Sequence, residues 1–369
     1  MTSAWKRLCL GLVVLAGAQA GASAANQAVK PPPAAAKPQL AAGERAPAAP
    51  QYLRDRVTEL GRNFDGQVGI AVRSIDDGWV AGWKADDLYP QQSVSKLWVA
   101  ITALDAADKG RVDLDKKVTL TRSDLTVFHQ PIRDLIFGNG GRYSISLSDL
   151  MFKAITTSDN TANDKLMRSV GGPSAVRAMI AAKHLGAIRF FNGERALQSK
   201  IAGMVWSPSY SIGNAFFEAR DALPLAIRGR AFNRYIADPY DGATPDAITS
   251  ALARLKRGEL LSPESTRRLL YIMSNTHTGP NRLKGGLLGG WTLNHKTGTG
   301  QELGGVQAGY NDIGILTAPN GKSYAVAVMI KKTSTPLPVR MTLMSNLTRV
   351  VIAQHNALTN GGGVSLQRQ

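Results

Sequence analysis

The chain has 369 residues, a formal charge of +17, 44% apolar residues and 19% charged ones. That balance excludes a disordered or low-complexity protein and suits one large domain or two small ones with a sizeable core. Lysines and arginines are scattered, with no long basic run and no interleaved aromatics, which argues against nucleic acid and for anionic cell-envelope polymers as neighbours.

In chain order, Lys6 and Arg7 precede a short apolar run, residues 8–20, and the small-residue sites Ala18-Gln19-Ala20 and Ala22-Ser23-Ala24 follow. Charge, apolar run and small-residue site read as a cleaved export signal over residues 1–24. The run is too short to span a bilayer comfortably, so no stable membrane insertion is expected after cleavage. The expectation is a secreted protein, periplasmic in a Gram-negative bacterium. Cys9, the only cysteine, lies inside that signal, so the mature chain must hold itself together without a disulfide. Residues 25–50 are Pro- and Ala-rich and form a semi-rigid linker. Residues 359–369, with three consecutive glycines, read as a flexible tail. The folded unit is then residues 51–358.

Inside it, residues 52–60 read as a helix. Strands are predicted at 67–75 and 79–84, joined by the turn Asp76-Asp77-Gly78. A helical middle follows at 93–109, 147–158, 161–170 and 174–185. Strands return at 291–296, 312–318 and 324–330, and a helix near 338–356 closes the chain. This pattern predicts an α/β (α+β) fold: one antiparallel sheet built from both ends of the chain and flanked by helices, beside an all-helical lobe. The cleft between lobes is the natural place for a site.

Three short motifs carry chemistry. Ser93-Val94-Ser95-Lys96 opens a helix, where residues three apart share a face, so the Lys96 ammonium can reach the Ser93 hydroxyl. Ser158-Asp159-Asn160 and Lys296-Thr297-Gly298 each occur once, the latter on a predicted strand. An isolated S-x-x-K means little, since Ser3 and Lys6 match it too. The three motifs in this order are different. They resemble the set found in class A β-lactamases and penicillin-binding proteins, and the resemblance spans nearly all of the folded unit. Residues 154–163 (AITTSDNTAN), the following Gly171-Gly172-Pro173, and residues 291–300 (WTLNHKTGTG) look especially like class A.

The resemblance implies a β-lactamase-like fold and a small-molecule β-lactam substrate attacked by Ser93. It implies that the Ser93 proton goes either to Lys96 or through a water to Glu194. It further implies an oxyanion hole from the backbone N–H groups of Ser93 and Thr299, proton delivery to the leaving nitrogen by Ser158, and positive potential from Lys296. Asn160 would orient Lys96 and the substrate amide, and Thr297, Gly298 and Thr299 would line the binding strand. Glu194-Arg195-Ala196-Leu197-Gln198 stands at the class A spacing for the glutamate that activates water to cleave the acyl-enzyme, with Gln198 where the family has Asn. Arg282 stands where some class A enzymes carry an arginine for the substrate carboxylate, and a planar guanidinium suits that group. Phe128 falls where the family places an aromatic at the cleft mouth. His295, beside Lys296 on an alternating strand, should face away from the chemistry. No histidine forms a metal-binding pattern, so neither metal nor cofactor is expected. A monomer is expected.

Two departures stand out. Asp241-Gly242-Ala243-Thr244-Pro245 resembles the segment that ends the glutamate-bearing loop, but a long insert, about 199–240, precedes it. The arginine that pairs with that aspartate in the family would sit two residues before Glu194, where Asn192 stands. The insert contains Trp206, Tyr210, Ile212, Phe216, Phe217, Phe232 and Tyr235, enough apolar mass to pack. It either holds Glu194 by packing or leaves it misplaced. Two alternatives to β-lactam hydrolysis therefore stay open: a D-Ala-D-Ala carboxypeptidase or penicillin-binding protein, and an envelope protein that binds β-lactams with slow turnover.

Overall fold

A computed structural model describes residues 47–359. The expected export signal (1–24), residues 25–46 of the expected linker and residues 360–369 of the expected tail lie outside the described residues. Helix α1 (Gln51–Asn63) leads into the hairpin β1 (Gln67–Ser74) and β2 (Val80–Trp83), then the short strand β3 (Tyr89–Pro90). A helical region follows: α2 (Lys96–Asp108), β4 (Lys117–Thr121), α3 (Ile132–Gly138), β5 (Arg142–Ser146), α4 (Leu147–Thr156), α5 (Asn160–Ser169) and α6 (Gly172–Ala182). Next come α7 (Glu194–Ile201), α8 (Ala215–Asp221), α9 (Leu225–Ala237), β6 (Gly242–Ala243), α10 (Pro245–Lys256) and α11 (Pro263–Ser274). Strands β7 (Thr292–Thr299), β8 (Glu302–Leu303), β9 (Val306–Thr317) and β10 (Ser323–Thr333) precede the closing helix α12 (Leu337–Thr359).

The main sheet runs in the order β2-β1-β10-β9-β7, with β8 added on β9, and all its pairings are antiparallel. Both ends of the chain meet at its centre, where β1 pairs with β10, Ile70 against Val328. Period-two alternation splits each strand between two cores. On β10, Tyr324, Val326, Val328 and Ile330 point to the layer filled by α1 and α12. Ala325, Ala327 and Met329 point to the helical lobe. Small residues on that second face let α10 lie close against the sheet.

Helix α2 is apolar on every side, buried from Lys96 to Ala106, as expected of a central helix in a lobe. Helices α4, α5, α6 and α11 pack around it. Their starts are written in the sequence: Ser146 caps α4, Asp159 caps α5, Thr244 caps α10 and Ser262 caps α11, each accepting a backbone N–H. Pro245 and Pro263 then occupy the first turn, where a missing N–H costs nothing.

The expected architecture is present, and three details differ. Gln92–Ser95 forms a tight 3-10 turn ahead of α2, because Gln92 takes a left-handed φ of 53° and the helix cannot begin before it. Ala49 is already buried against the sheet, so the folded unit begins just before residue 51. At the other end α12 includes Thr359.

Candidate active site

Ser93 lies in the 3-10 turn, so its side chain and that of Lys96 fall one turn apart on the same side. The Lys96 Nζ donates to Ser93 Oγ at 2.7 Å and also pairs with Glu194 Oε1. Lys96 is fully buried and Glu194 nearly so, which makes this ion pair part of the interior. Buried ions must be paired, because an isolated charge loses its hydration without compensation.

The second motif is held by its middle residue. Asp159 accepts the backbone N–H of Ala162 at 2.8 Å and of Ile132 at 2.6 Å, fixing the turn between α4 and α5. Burial pushes its carboxyl above the ordinary range, and the two N–H donors oppose that rise. Ser158 is forced to a left-handed φ of 58°, and Lys296 Nζ donates to its Oγ at 2.9 Å. Asn160 is turned by its amide nitrogen onto the Val127 carbonyl at 2.9 Å, while Lys96 is held by Ser93 and Glu194.

The third motif lies on β7. Lys296 is fully buried, and burial, reinforced by the Lys96 charge, holds its ammonium well below the usual lysine range. His295 takes the opposite face of the strand, with Nδ1 2.9 Å from Asp312 Oδ1. Gly298 is required sterically: a Cβ there would sit 2.4 Å from the Gln91 carbonyl oxygen. That contact brings β7 directly against the Ser93 turn.

Glu194 begins α7 after Gly193, whose φ of 88° suits glycine and whose absent side chain clears Met167 and Asp164. Asp164 accepts the Glu194 backbone N–H at 2.9 Å. Gln198, one helical turn on, shares a face with Glu194 and lies 3.3 Å from its Oε2. Gln301 donates to the Gln198 side-chain oxygen at 3.0 Å and to its carbonyl at 2.8 Å.

These groups surround a cavity of about 340 Å³. Nine of the residues singled out by sequence line it: Ser93, Phe128, Ser158, Asn160, Glu194, Gln198, Arg282, Thr297 and Thr299. Lys96, Lys296 and Gly298 are buried in its floor and walls. Sequence reasoning missed His129, Thr278 and Gly279, which also line it. Thr278 shares a 2.6 Å hydroxyl contact with Thr297, and nothing in its sequence neighbourhood marks it.

Arg282 is mostly buried. Its guanidinium donates to the carbonyls of Asn311 (2.7 Å) and Gly298 (3.1 Å) and to Thr299 Oγ1 at 2.6 Å, and it stacks over Tyr310. It therefore braces the end of β7 as well as adding charge to the cavity. Phe128, at a left-handed φ of 64°, packs edge-on to Phe216 with centroids 4.8 Å apart and lies 5.7 Å from Phe217. Both partners belong to α8.

The insert is thus folded onto the site. Phe232, Tyr235 and Ile236 of α9 pack with Leu197 and Ile201 of α7 and with Ala308. Phe216 packs with Val127 and Ala202, flanked by Trp206 and Tyr210. Helix α7 itself continues through Ile201, so the added chain starts after it. Asn192 is exposed and accepts from Arg177, away from Asp241.

Asp164 provides a pH test of this interior. Burial, with the Glu194 charge beside it, pushes its carboxyl up to about 6. Unfolded, the same group ionises near pH 4, so the folded chain binds more protons between those values. Stability from this group is therefore greatest below pH 4 and is lost as pH rises through 6. Asp164→Asn keeps an acceptor for the Glu194 N–H and removes the charge. Relative to the parent chain, it is expected to gain roughly 1–3 kcal/mol at pH 8 and little at pH 4. Urea unfolding at both pH values measures this, and a difference that does not grow with pH would contradict it.

Comparison with known proteins agrees with the geometry. The profile of the β-lactamase enzyme family matches residues 51–355. The chain is 26% identical to the β-lactamase VEB-1 of Pseudomonas aeruginosa over 77% of its length and 84% of that protein. It is 28% identical to the extended-spectrum β-lactamase PER-1 of the same organism, over 76% and 79%. Among solved structures, a β-lactamase from Chitinophaga pinensis superimposes with a TM-score of 0.68 at 27% identity, covering 82% of this chain and 99% of that one. The TLA-3 extended-spectrum β-lactamase gives 0.67 at 28%, covering 82% and 98%. Among the described residues no helix is long and apolar enough to cross a membrane.

Proposed function

This chain belongs to the β-lactamase enzyme family, and on that premise we propose that it opens the amide bond of β-lactam antibiotics through an acyl-enzyme on Ser93. The observation that carries the reading is one hydrogen-bonded line, Ser93 to Lys96 to Glu194, beside a cavity edged by Ser158, Thr297 and Thr299. A proton moved from Lys96 to Glu194 leaves a free amine against Ser93, which takes the hydroxyl proton as Oγ attacks the lactam carbonyl. Lys296 donates to Ser158 Oγ, so the Ser158 proton is free to pass to the departing nitrogen. The Ser93 proton held on Lys96 replaces it on Ser158, and Glu194 returns its own proton to Lys96 and is a carboxylate again. Arg282 donates to Thr299 Oγ1 in the same way, turning the Thr299 proton toward a substrate carboxylate. The oxyanion is received by the N–H groups of Ser93 and Thr299. Glu194, its second oxygen near Gln198, then activates a water that cleaves the ester.

We extend the reading to an exported protein acting in the periplasm, on the strength of the leader-like pattern at residues 1–24. The test is to mix purified protein with a chromogenic cephalosporin and follow turnover and intact mass together. Sustained turnover is expected, with an adduct that Ser93→Ala cannot form. A stoichiometric burst with a permanent adduct would identify a penicillin-binding protein instead, and the absence of both turnover and adduct would sink the serine chemistry.

A further inference from the structure

Tyr235 lies on α9, inside the insert, and is fully buried. Its hydroxyl donates to Asp241 Oδ1 at 2.9 Å and accepts from Gln92 Nε2. The other Asp241 oxygen accepts the Gln92 backbone N–H at 2.7 Å. The Gln92 side-chain oxygen accepts from Gln198 Nε2 at 3.0 Å, and that same nitrogen faces Glu194 Oε2. Asp241, Tyr235, Gln92, Gln198 and Glu194 thus form one buried chain of polar groups.

The chain has a direction. The Asp241 carboxylate only accepts, so the Tyr235 proton points to it and the phenolic oxygen is left to accept from Gln92. That orients the Gln92 amide, with its nitrogen toward Tyr235 and its oxygen toward Gln198. The Gln198 nitrogen can then donate both to Gln92 and to Glu194, while Gln301 holds the Gln198 oxygen from the far side. Without the hydroxyl, Gln92 is free to rotate its amide and present a donor to a donor.

We propose that Tyr235 is a positioning residue for the water-activating glutamate: the insert supplies, as a neutral phenol, the brace on Asp241 that Asn192 cannot give, and transmits it through Gln92 and Gln198 to the Glu194 carboxylate. The proposal rests on Glu194 being the deacylation base. It also gives the insert a purpose in the reaction, since no other part of α8 or α9 hydrogen-bonds into this chain among the described residues.

Tyr235→Phe removes the hydroxyl and keeps the ring. Stopped-flow acylation by a chromogenic cephalosporin is expected to stay within about twofold of the parent. Release of the adduct, normalised to burst amplitude, is expected to slow by roughly 10–100-fold, the scale of a small misplacement of a reacting group. Gln92→Met, which cuts the chain at its next link, should slow release comparably, and the double variant should be no worse than either single one. Phe232→Leu loosens the packing of α9 without touching the chain; it should lower the melting temperature and leave the release rate unchanged.

Parental release rates in both Tyr235→Phe and Gln92→Met would overturn the proposal, as would equal slowing by Phe232→Leu. Glu194→Ala separates the two levels of inference. If its adduct accumulates while that of Tyr235→Phe does not, only the positioning role fails. If its adduct is released normally, the assignment of the base fails as well.

Discussion

Glu194→Ala is expected to convert the enzyme into a trap: Ser93 is acylated, and the adduct persists. Lys96 Nζ, which lies 2.7 Å from Ser93 Oγ, is untouched by the substitution; it loses Glu194 as the acceptor of its own proton, so acylation slows as well, but the nucleophile keeps its partner. What disappears is the carboxylate beside Gln198 to which we assign the proton of the attacking water. A positioned general base contributes roughly 10²–10⁴-fold, and release should slow by that factor, far more than acylation does. Intact mass after brief mixing should show nearly complete adduct where the parent shows little. Unchanged release would remove Glu194 from the mechanism, whatever its burial.

The second large effect concerns both stability and rate. Among the described residues Lys96 is the one cation in hydrogen-bonding contact with Glu194, and both are shielded from water. Lys96→Ala leaves a carboxylate buried without its partner, a change that typically costs about 3–5 kcal/mol. It also removes the amine from Ser93, so acylation should fall by roughly 10²–10⁴-fold. Adding Glu194→Ala should restore part of the lost stability, because the stranded charge goes with it. Denaturant unfolding of the two single variants and the double one measures this coupling. Equal losses in Lys96→Ala and in the double variant would mean that Glu194 is comfortable without the lysine.

The groups proposed as catalytic could be found together from the sequence because the chemistry restricts residue type and spacing together. Ser93 with Lys96, Ser158 within its aspartate-held turn, and Lys296 on an alternating strand each have a local reason to be where they are, and the cavity gathers them. Much of the sheet was equally legible, since β1, β10 and the second half of β9 are largely apolar runs buried on both faces. The first half of β9, from Val306, carries Gln307 and Asn311 and did not read as strand. Helices α10 and α11 carry start signals, Thr244-Pro245 and Ser262-Pro263, that were readable and went unread. The ribbon of β4 and β5 is too short and too exposed for periodicity to reveal it.

The support of Glu194 was not legible, for a different reason. Tyr235 meets Asp241 across a turn, but its other partner, Gln92, is distant in sequence and belongs to no motif. Long-range hydrogen bonds leave no period and no spacing rule. The amino-acid pattern could say that the insert had enough apolar mass to fold. It could not say which polar group the insert would bring inside. Thr278 and His129 escaped for the same reason, reaching the cavity through contacts made only in the folded chain.

The sheet topology has a kinetic consequence. Its central strand, β10, and the covering helix α12 occupy the last described residues, while its partner β1 lies near the first. Pairings of such sequence separation form slowly, because the closure entropy of nearly the whole chain must be met before any contact rewards it. A chain lacking residues 323–359 has no middle to its sheet and no α12 to pack beside α1. The described fold therefore cannot close until residues 323–359 are available to it, and β1 and β9 must wait for them to be joined into one sheet.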